Sequence, residues 1–236
     1  MAHARGLPER AVTIALATAI QESKLRNLTY GDRDSIGLFQ QRPSQGWGSP
    51  AQIRDPVYAS GRFFDALVKV PDYVALPVTV VAQRVQHSGY PEAYAQHEDM
   101  ATTLADVLTG REGPALSCTV SGTDPVPSDT GGSGAAGVVS EAGGGGGVTA
   151  AVRREFGDVP TALPVTGGGS VSYPIPTDQV STGWSLALWL VCHATELNAT
   201  SVTFNGRRWS STASNQGWTH TTPDPGQTGT LAVALS

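Results

Sequence analysis

"AIQESKLRNLTYGDRDSIGLFQQ", residues 19 to 41, decides how the first half of the chain reads. It opens as the end of an apolar run, presents a carboxylate at Glu22, turns polar and charge-dense through "TYGDRDS", and closes on "GLFQQ". Upstream, Pro8 suits a first helical position and Val12, Leu16, Ala19 and Ile20 recur at helical spacing, which predicts a helix from about Pro8 to Glu22 or Lys24. A carboxyl group that must give a proton near neutral pH needs partial burial against apolar neighbours in a cleft. The end of an apolar helix offers such a place, at the edge where the chain turns outward. On these residues alone, a charged side chain in an exposed last turn is the plain alternative.

Outward from this stretch, residues 8 to 110 read as a series of helices. Asp55 and Pro56 form a cap-then-proline start, and Val57, Phe63, Phe64, Ala66, Leu67 and Val70 give the following segment an apolar face. A third helix starts near Pro77 with Val78, Val81, Ala82 and Val85. A last one begins at Pro91 and runs through Leu104 and Leu108 to a stop at Gly110. The text then changes to "GPALSCTVSGTDPVPSDTGGSGAAGVVSEAGGGGG", in which 11 of 35 residues are Gly. Such a segment buries too little surface to offset the entropy of ordering, and reads as a tether over 113 to 147. Flexible-chain scaling lets its ends range over about 30 to 35 Å.

Beyond it, "VTAAVRREFG" and "GWSLALWLVCHATEL" read as helices, the second with Trp184, Leu188, Val191 and Ala194 close to one face. "SVTFNG", "GRRWSS" and "TGTLAVALS" read as short strands separated by turn residues. The expected organisation is a mainly helical domain over 1 to 112, the tether, and a small α/β module over 148 to 236. No internal repeat joins the halves.

The composition narrows the function classes. Of 236 residues, 39% are apolar and 15% charged, leaner in charge than most soluble domains, and the 28 Gly and 16 Pro point to a long unstructured segment. A net charge of −5 without a run of like charges leaves no electrostatic footprint for nucleic acid or an acidic membrane. No apolar run approaches a membrane span, and Glu9, Arg10 and Thr13 interrupt what would be a secretory signal at the start. Five scattered histidines without paired carboxylates predict no zinc site, and no P-loop, Rossmann glycine pattern or Gly-x-Ser-x-Gly elbow occurs. No cofactor is expected. Cys118 and Cys192 fit no metal or redox spacing and can pair only with each other, as a disulfide or not at all.

Glu22 with Ser23, a polar loop with Ser35, and then Gly37, Leu38, Phe39 and Gln40 resemble the soluble lytic transglycosylase and goose-type lysozyme group. Its signature is a glutamate-serine pair followed some 14 to 16 residues on by glycine, two apolar residues and glutamine; Gly37 stands 15 positions after Glu22. The likeness covers roughly 8 to 110, and the longer string to "QQRPSQGWG" is similar to a group of actinobacterial cell-wall proteins. It implies a lysozyme-like fold, Glu22 as the catalytic acid, and Ser23, Ser35, Gln40 and Gln41 along a sugar groove. In the group a later tyrosine-asparagine pair contributes to the site. In "AQRVQHSGYPEAY" Gln86 stands for the asparagine, Val85 occupies the tyrosine place, and Tyr90 follows four residues on. The C-terminal part resembles small modules that follow such domains.

The resemblance implies attack on the β-1,4 link between N-acetylmuramic acid and N-acetylglucosamine in peptidoglycan glycan strands, outside the membrane. A signal or anchor upstream of residue 1 is therefore expected. A lytic transglycosylase needs one carboxyl group, because the sugar's own 6-hydroxyl closes on C1. An inverting hydrolase needs a second carboxylate about 6.5 to 9.5 Å away, and a retaining one about 5 to 5.5 Å away. Asp32 and Asp34 are the local candidates, although aspartates in "YGDRDS" also serve simply to turn a chain. Sugar rings stack on aromatic faces, and Trp47 between two glycines suits a groove while Phe39 suits the core. A protein that keeps the groove for wall binding without turnover is the alternative. Trp184, Trp189, Trp209 and Trp218 suit either packing or a binding face. Nothing in the residues specifies an oligomeric state.

Overall fold

Small side chains let helix α1 (Glu9–Ser23) be buried on nearly all sides. Ala11, Ile14, Ala15, Ala17, Ala19 and Ile20 are core, and the Thr18 hydroxyl turns back to its own helix, donating to Ile14 O at 2.7 Å. Val12 and Leu16, expected on the core face, are only half-buried, because a central helix has no single core stripe. The computed structural model describes residues 1–120, 145–157, 163–164, 169–222 and 229–236. These form two units, one on Met1–Ala105 and one from Asp106 onward, so the division falls inside the last helix of the first half.

The first unit surrounds α1 with α2 (Pro50–Ile53), α3 (Pro56–Leu67), α4 (Val78–Gln86) and α5 (Glu98–Leu108), of which α3 and α4 pack directly on it. Asp55 caps α3 by accepting from Val57 N at 2.9 Å, the physical content of the Asp-Pro signal. Phe39 stacks on Phe63 with ring centroids 4.6 Å apart, inside a core completed by Phe64, Leu67, Val78 and Val81. Such a pair adds about 0.5 to 1.5 kcal/mol beyond the area it buries. The final helix starts later than its proline suggested: Pro91–His97 is a 3-10 segment, and α5 begins only at Glu98.

Lys24 ends α1 in the left-handed conformation, its N–H bonded to Ile20 O at 2.9 Å. The polar stretch then folds back on itself through antiparallel bridges between Leu28 and Gly37 and between Ile36 and Gln41. Gly37 has φ 78°, and an added Cβ would stand 2.8 Å from Ile53 O, so this position of "GLFQ" takes no side chain.

Most of the expected tether lies outside the described residues. Its first part, 113 to 120, is held along the second unit by indole donors from Trp218 and Trp209, and its last residues belong to α6 (Gly145–Phe156). The second unit adds α7 (Val180–Cys192) and α8 (Ala194–Leu197) to an antiparallel sheet. Its strands are β1 (Leu163–Pro164), β2 (Ser170–Pro174), β3 (Ala199–Phe204), β4 (Arg207–Ser210), β5 (Thr219–His220) and β6 (Thr230–Leu235), in the order β1-β2-β6-β3-β4-β5. Asn205 and Gly206, with φ 48° and 71°, close the β3–β4 hairpin as residues of the type the tight turn demands. Of these strands β3, β4 and β6 correspond to the sequence expectation, whereas β1, β2 and β5 were not anticipated. α7 packs on β3, and a Cβ at Gly183 would run into the Phe204 ring. The chain is thus a mainly helical unit followed by a small unit of helices on a sheet.

Candidate functional site

The end of α1 places Glu22 half-buried, and Tyr94 of the 3-10 segment donates its hydroxyl to Glu22 Oε1 at 2.6 Å. Tyr94 is itself fully buried. Burial first, and then the adjacent Glu22 carboxylate, hold its phenol well above the ordinary value, so it stays protonated and acts as a donor. The bond fixes one oxygen of Glu22. The other, Oε2, has no hydrogen-bond partner among the described residues.

Ser23, one position on, faces inward. Its buried hydroxyl lies 2.7 Å from Leu38 O and 3.0 Å from Ala19 O, tying "GLFQ" to the end of α1. From the opposite side Gln86 Nε2 donates to Phe39 O at 2.7 Å. Two side chains from two helices therefore register the 37 to 40 stretch against Glu22. Gln40 takes φ 48°, unusual for a residue with a Cβ, and its amide Nε2 donates to Gly37 O at 3.2 Å and Tyr30 O at 3.3 Å. Both Ser23 and Gln86, expected along a groove, serve to position backbone.

The second carboxylate expected at Asp34 is already engaged. Arg42 Nε donates to its Oδ1 at 2.7 Å and the Ser44 backbone N–H to its Oδ2 at 2.8 Å. The Arg42 guanidinium, followed by the Ser44 bonds, holds the Asp34 carboxyl far below the usual carboxylate range. Both oxygens serve to fasten the 3-10 turn Pro43–Gln45. Asp32 is exposed, and its backbone carbonyl accepts from Ser35 N at 3.0 Å, closing the local turn. Ser35 is buried, and Gln41 is buried with its Nε2 donating to Ala59 O at 3.1 Å. Neither side chain is placed to meet a ligand.

Trp47 is half-buried on the edge of the core and lines a cleft of about 520 Å³ with Arg62, Lys69, Arg84 and His87. A second cleft of about 530 Å³ is lined by Ile20, Gln21, Leu25, His97 and Met100. Glu22 lines neither. Tyr90 projects into solvent at 78% exposure, and Val85, assigned the tyrosine place, is core. The tyrosine that meets the glutamate is Tyr94, which the sequence reading missed. Its signal was the "AY" at 93 and 94, read as the inside of a helix rather than a turn ahead of one.

The tryptophans of the second unit are packing. Trp209 is fully buried, Trp184 sits edge-on between Phe204 and Trp218 at 5.1 and 5.4 Å, and Trp189 stacks on His193 at 4.2 Å. Among the described residues no group of three or more His, Cys, Asp and Glu could hold a metal ion, and no helix is long and apolar enough to cross a membrane. The chain matches no family model and none of the curated proteins.

Proposed function

We propose that the first unit is a lysozyme-like, peptidoglycan-cleaving domain acting on the β-1,4 link between N-acetylmuramic acid and N-acetylglucosamine, with Glu22 as general acid and then base. The observation that carries this reading is the Tyr94–Glu22 bond at 2.6 Å, which orients one carboxylate oxygen and leaves the other open. Glu22 protonates the glycosidic oxygen, and as carboxylate it takes the proton from the sugar's 6-hydroxyl, which closes on C1. Ring closure rather than attack by water is favoured because Asp34 already has both oxygens engaged by Arg42 and Ser44. The substrate lies outside the membrane, and so does the site of action; glycan strands are the partner.

Incubation of the protein with purified peptidoglycan, followed by mass spectrometry, tests the reading. Anhydro ends are the expected product, reducing ends indicate a hydrolase using Asp32, and absence of both with Glu22 intact ends the catalytic reading. One observation favours a second reading, a wall-binding protein without turnover: Tyr94 is followed by Ala95, where the tyrosine-asparagine pair of the resembling group has an amide. Retention on peptidoglycan without products is its signature.

A further inference from the structure

The thiols of Cys118 and Cys192 meet in the second unit, with their sulfurs 3.0 Å apart although the residues stand 74 positions apart in the chain. Neither backbone is free to wander. Cys192 is the last residue of α7, whose preceding turns bury Leu186, Leu188, Leu190 and Val191. Cys118 lies on the strap 113 to 120, pinned on both sides and at its own carbonyl. Trp218 Nε1 donates to Leu116 O at 2.8 Å, Trp209 Nε1 to Cys118 O at 3.1 Å, and Val120 N to Ser214 Oγ at 2.9 Å. Cys118 and Val120 also pack against the apolar core of this unit. The fold therefore delivers two sulfurs to one spot from elements fixed by other bonds, and Cys192 is exposed to an incoming reagent.

We propose that Cys118 and Cys192 are a modification site, the substrate of a thiol–disulfide oxidant that cross-links the start of the tether to the end of α7. The step balances as an exchange. The thiolate of one cysteine attacks a sulfur of the oxidant's disulfide and releases one thiol. The second cysteine attacks the mixed disulfide, forms the Cys118–Cys192 bond and releases the other thiol. The two cysteines lose two electrons, the oxidant gains them, and both protons leave on its thiols. Burial of its sulfur first, and then the Cys118 sulfur, push the Cys192 thiol up to about 12, so the first attack on the oxidant falls to Cys118. Since such bonds persist in oxidising compartments, the second unit matures where an oxidant of this class is at hand, consistent with a site of action outside the membrane. The cross-link is independent of the chemistry proposed for Glu22, and its test contains no glycan.

The full chain, purified under reductant, is transferred to a buffer of equimolar reduced and oxidised glutathione and quenched by alkylation. The expected product is two hydrogens lighter, has no alkylated cysteine, and in a non-reduced digest joins the peptides carrying residues 118 and 192. It unfolds on the order of 10 °C above the reduced wild type and above Cys118→Ser and Cys192→Ser, because closing so long a loop restricts the unfolded chain. The reduced wild type is a control that needs no substitution. Two alkylated thiols, glutathione attached at either cysteine as the stable product, or a melting temperature equal to that of the reduced chain would each overturn the proposal.

Discussion

Helices α1 and α7 are each the buried centre of their own unit, and they differ in what they carry to the surface. Helix α1 ends in Glu22, with one oxygen held by Tyr94 and the other unbonded among the described residues. Helix α7 and the sheet beside it carry tryptophans, the residues a binding face is usually made of, yet three of the four indole N–H groups are already bonded and the fourth ring, Trp184, is buried. Trp189 Nε1 donates to Glu155 Oε2 at 2.8 Å, Trp218 Nε1 to Leu116 O at 2.8 Å and Trp209 Nε1 to Cys118 O at 3.1 Å. A polar group reads as functional when the fold orients it and leaves it unsatisfied. An aromatic set whose rings are stacked or buried and whose N–H groups are mostly bonded reads as packing, however suggestive its composition.

Three substitutions bear on that contrast. Glu22→Gln keeps the shape and removes the proton, and turnover of peptidoglycan is expected to fall by about 100- to 10,000-fold while thermal unfolding stays close to wild type. Wild-type turnover in this variant would remove the first half of the contrast. Trp209→Ala empties a site that is fully buried, and is expected to cost about 3 to 5 kcal/mol in urea unfolding. Lost glycan retention with unchanged stability would instead make the second unit a binding face. Tyr94→Phe deletes only the hydroxyl on Glu22. The loss of a bond to a charged group, about 1.5 kcal/mol, converts to roughly tenfold in turnover where the bond matters to the reacting geometry. An unchanged rate would mean that Glu22 is oriented by something other than Tyr94.

The helical first half and the place of Glu22 in the last turn of α1 were legible because both rest on local signals: apolar spacing, Asp55 before Pro56, and a carboxylate at the end of an apolar run. The partner of Glu22 was not, since Tyr94 lies 72 positions away and its aim depends on Pro91–His97 being a 3-10 turn followed by a helix. Composition does not separate that from a continuous helix, which would point residue 94 elsewhere. Ser23 and Gln86, expected along a groove, both bond backbone carbonyls of the 37 to 40 stretch. Their type and position suggest sugar contacts, but whether an amide or hydroxyl faces a ligand or a backbone carbonyl is decided by long-range packing. The strand pattern of the second unit was legible where turn chemistry marked it, as at Asn205-Gly206, and missed at β2, whose five residues end in Pro174. The strap at 113 to 120 was read as tether because its composition is that of a tether. Partners about a hundred positions later in the chain fix it, the indole donors of Trp209 and Trp218 and the Ser214 hydroxyl.

The smallest effect is expected at Asp34, and it separates a structural carboxylate from a catalytic one. Its folded value is depressed by Arg42 and Ser44, so the stability it contributes is present above the unfolded value near 4 and is lost as pH falls through the folded value. Asp34→Asn has no charge to lose. Its melting temperature should therefore lie about 1 to 3 °C below wild type at neutral pH, a gap that holds from about pH 5 to 8 and closes as the pH falls below about 4. High salt should narrow the same gap, because the Arg42 pair is partly exposed and screened. Anhydro products should continue to form, since both Asp34 oxygens already fasten the turn at Pro43–Gln45. A variant that melts like wild type at every pH, yet loses its cleavage products, would instead make Asp34 the second carboxylate and return water to the mechanism.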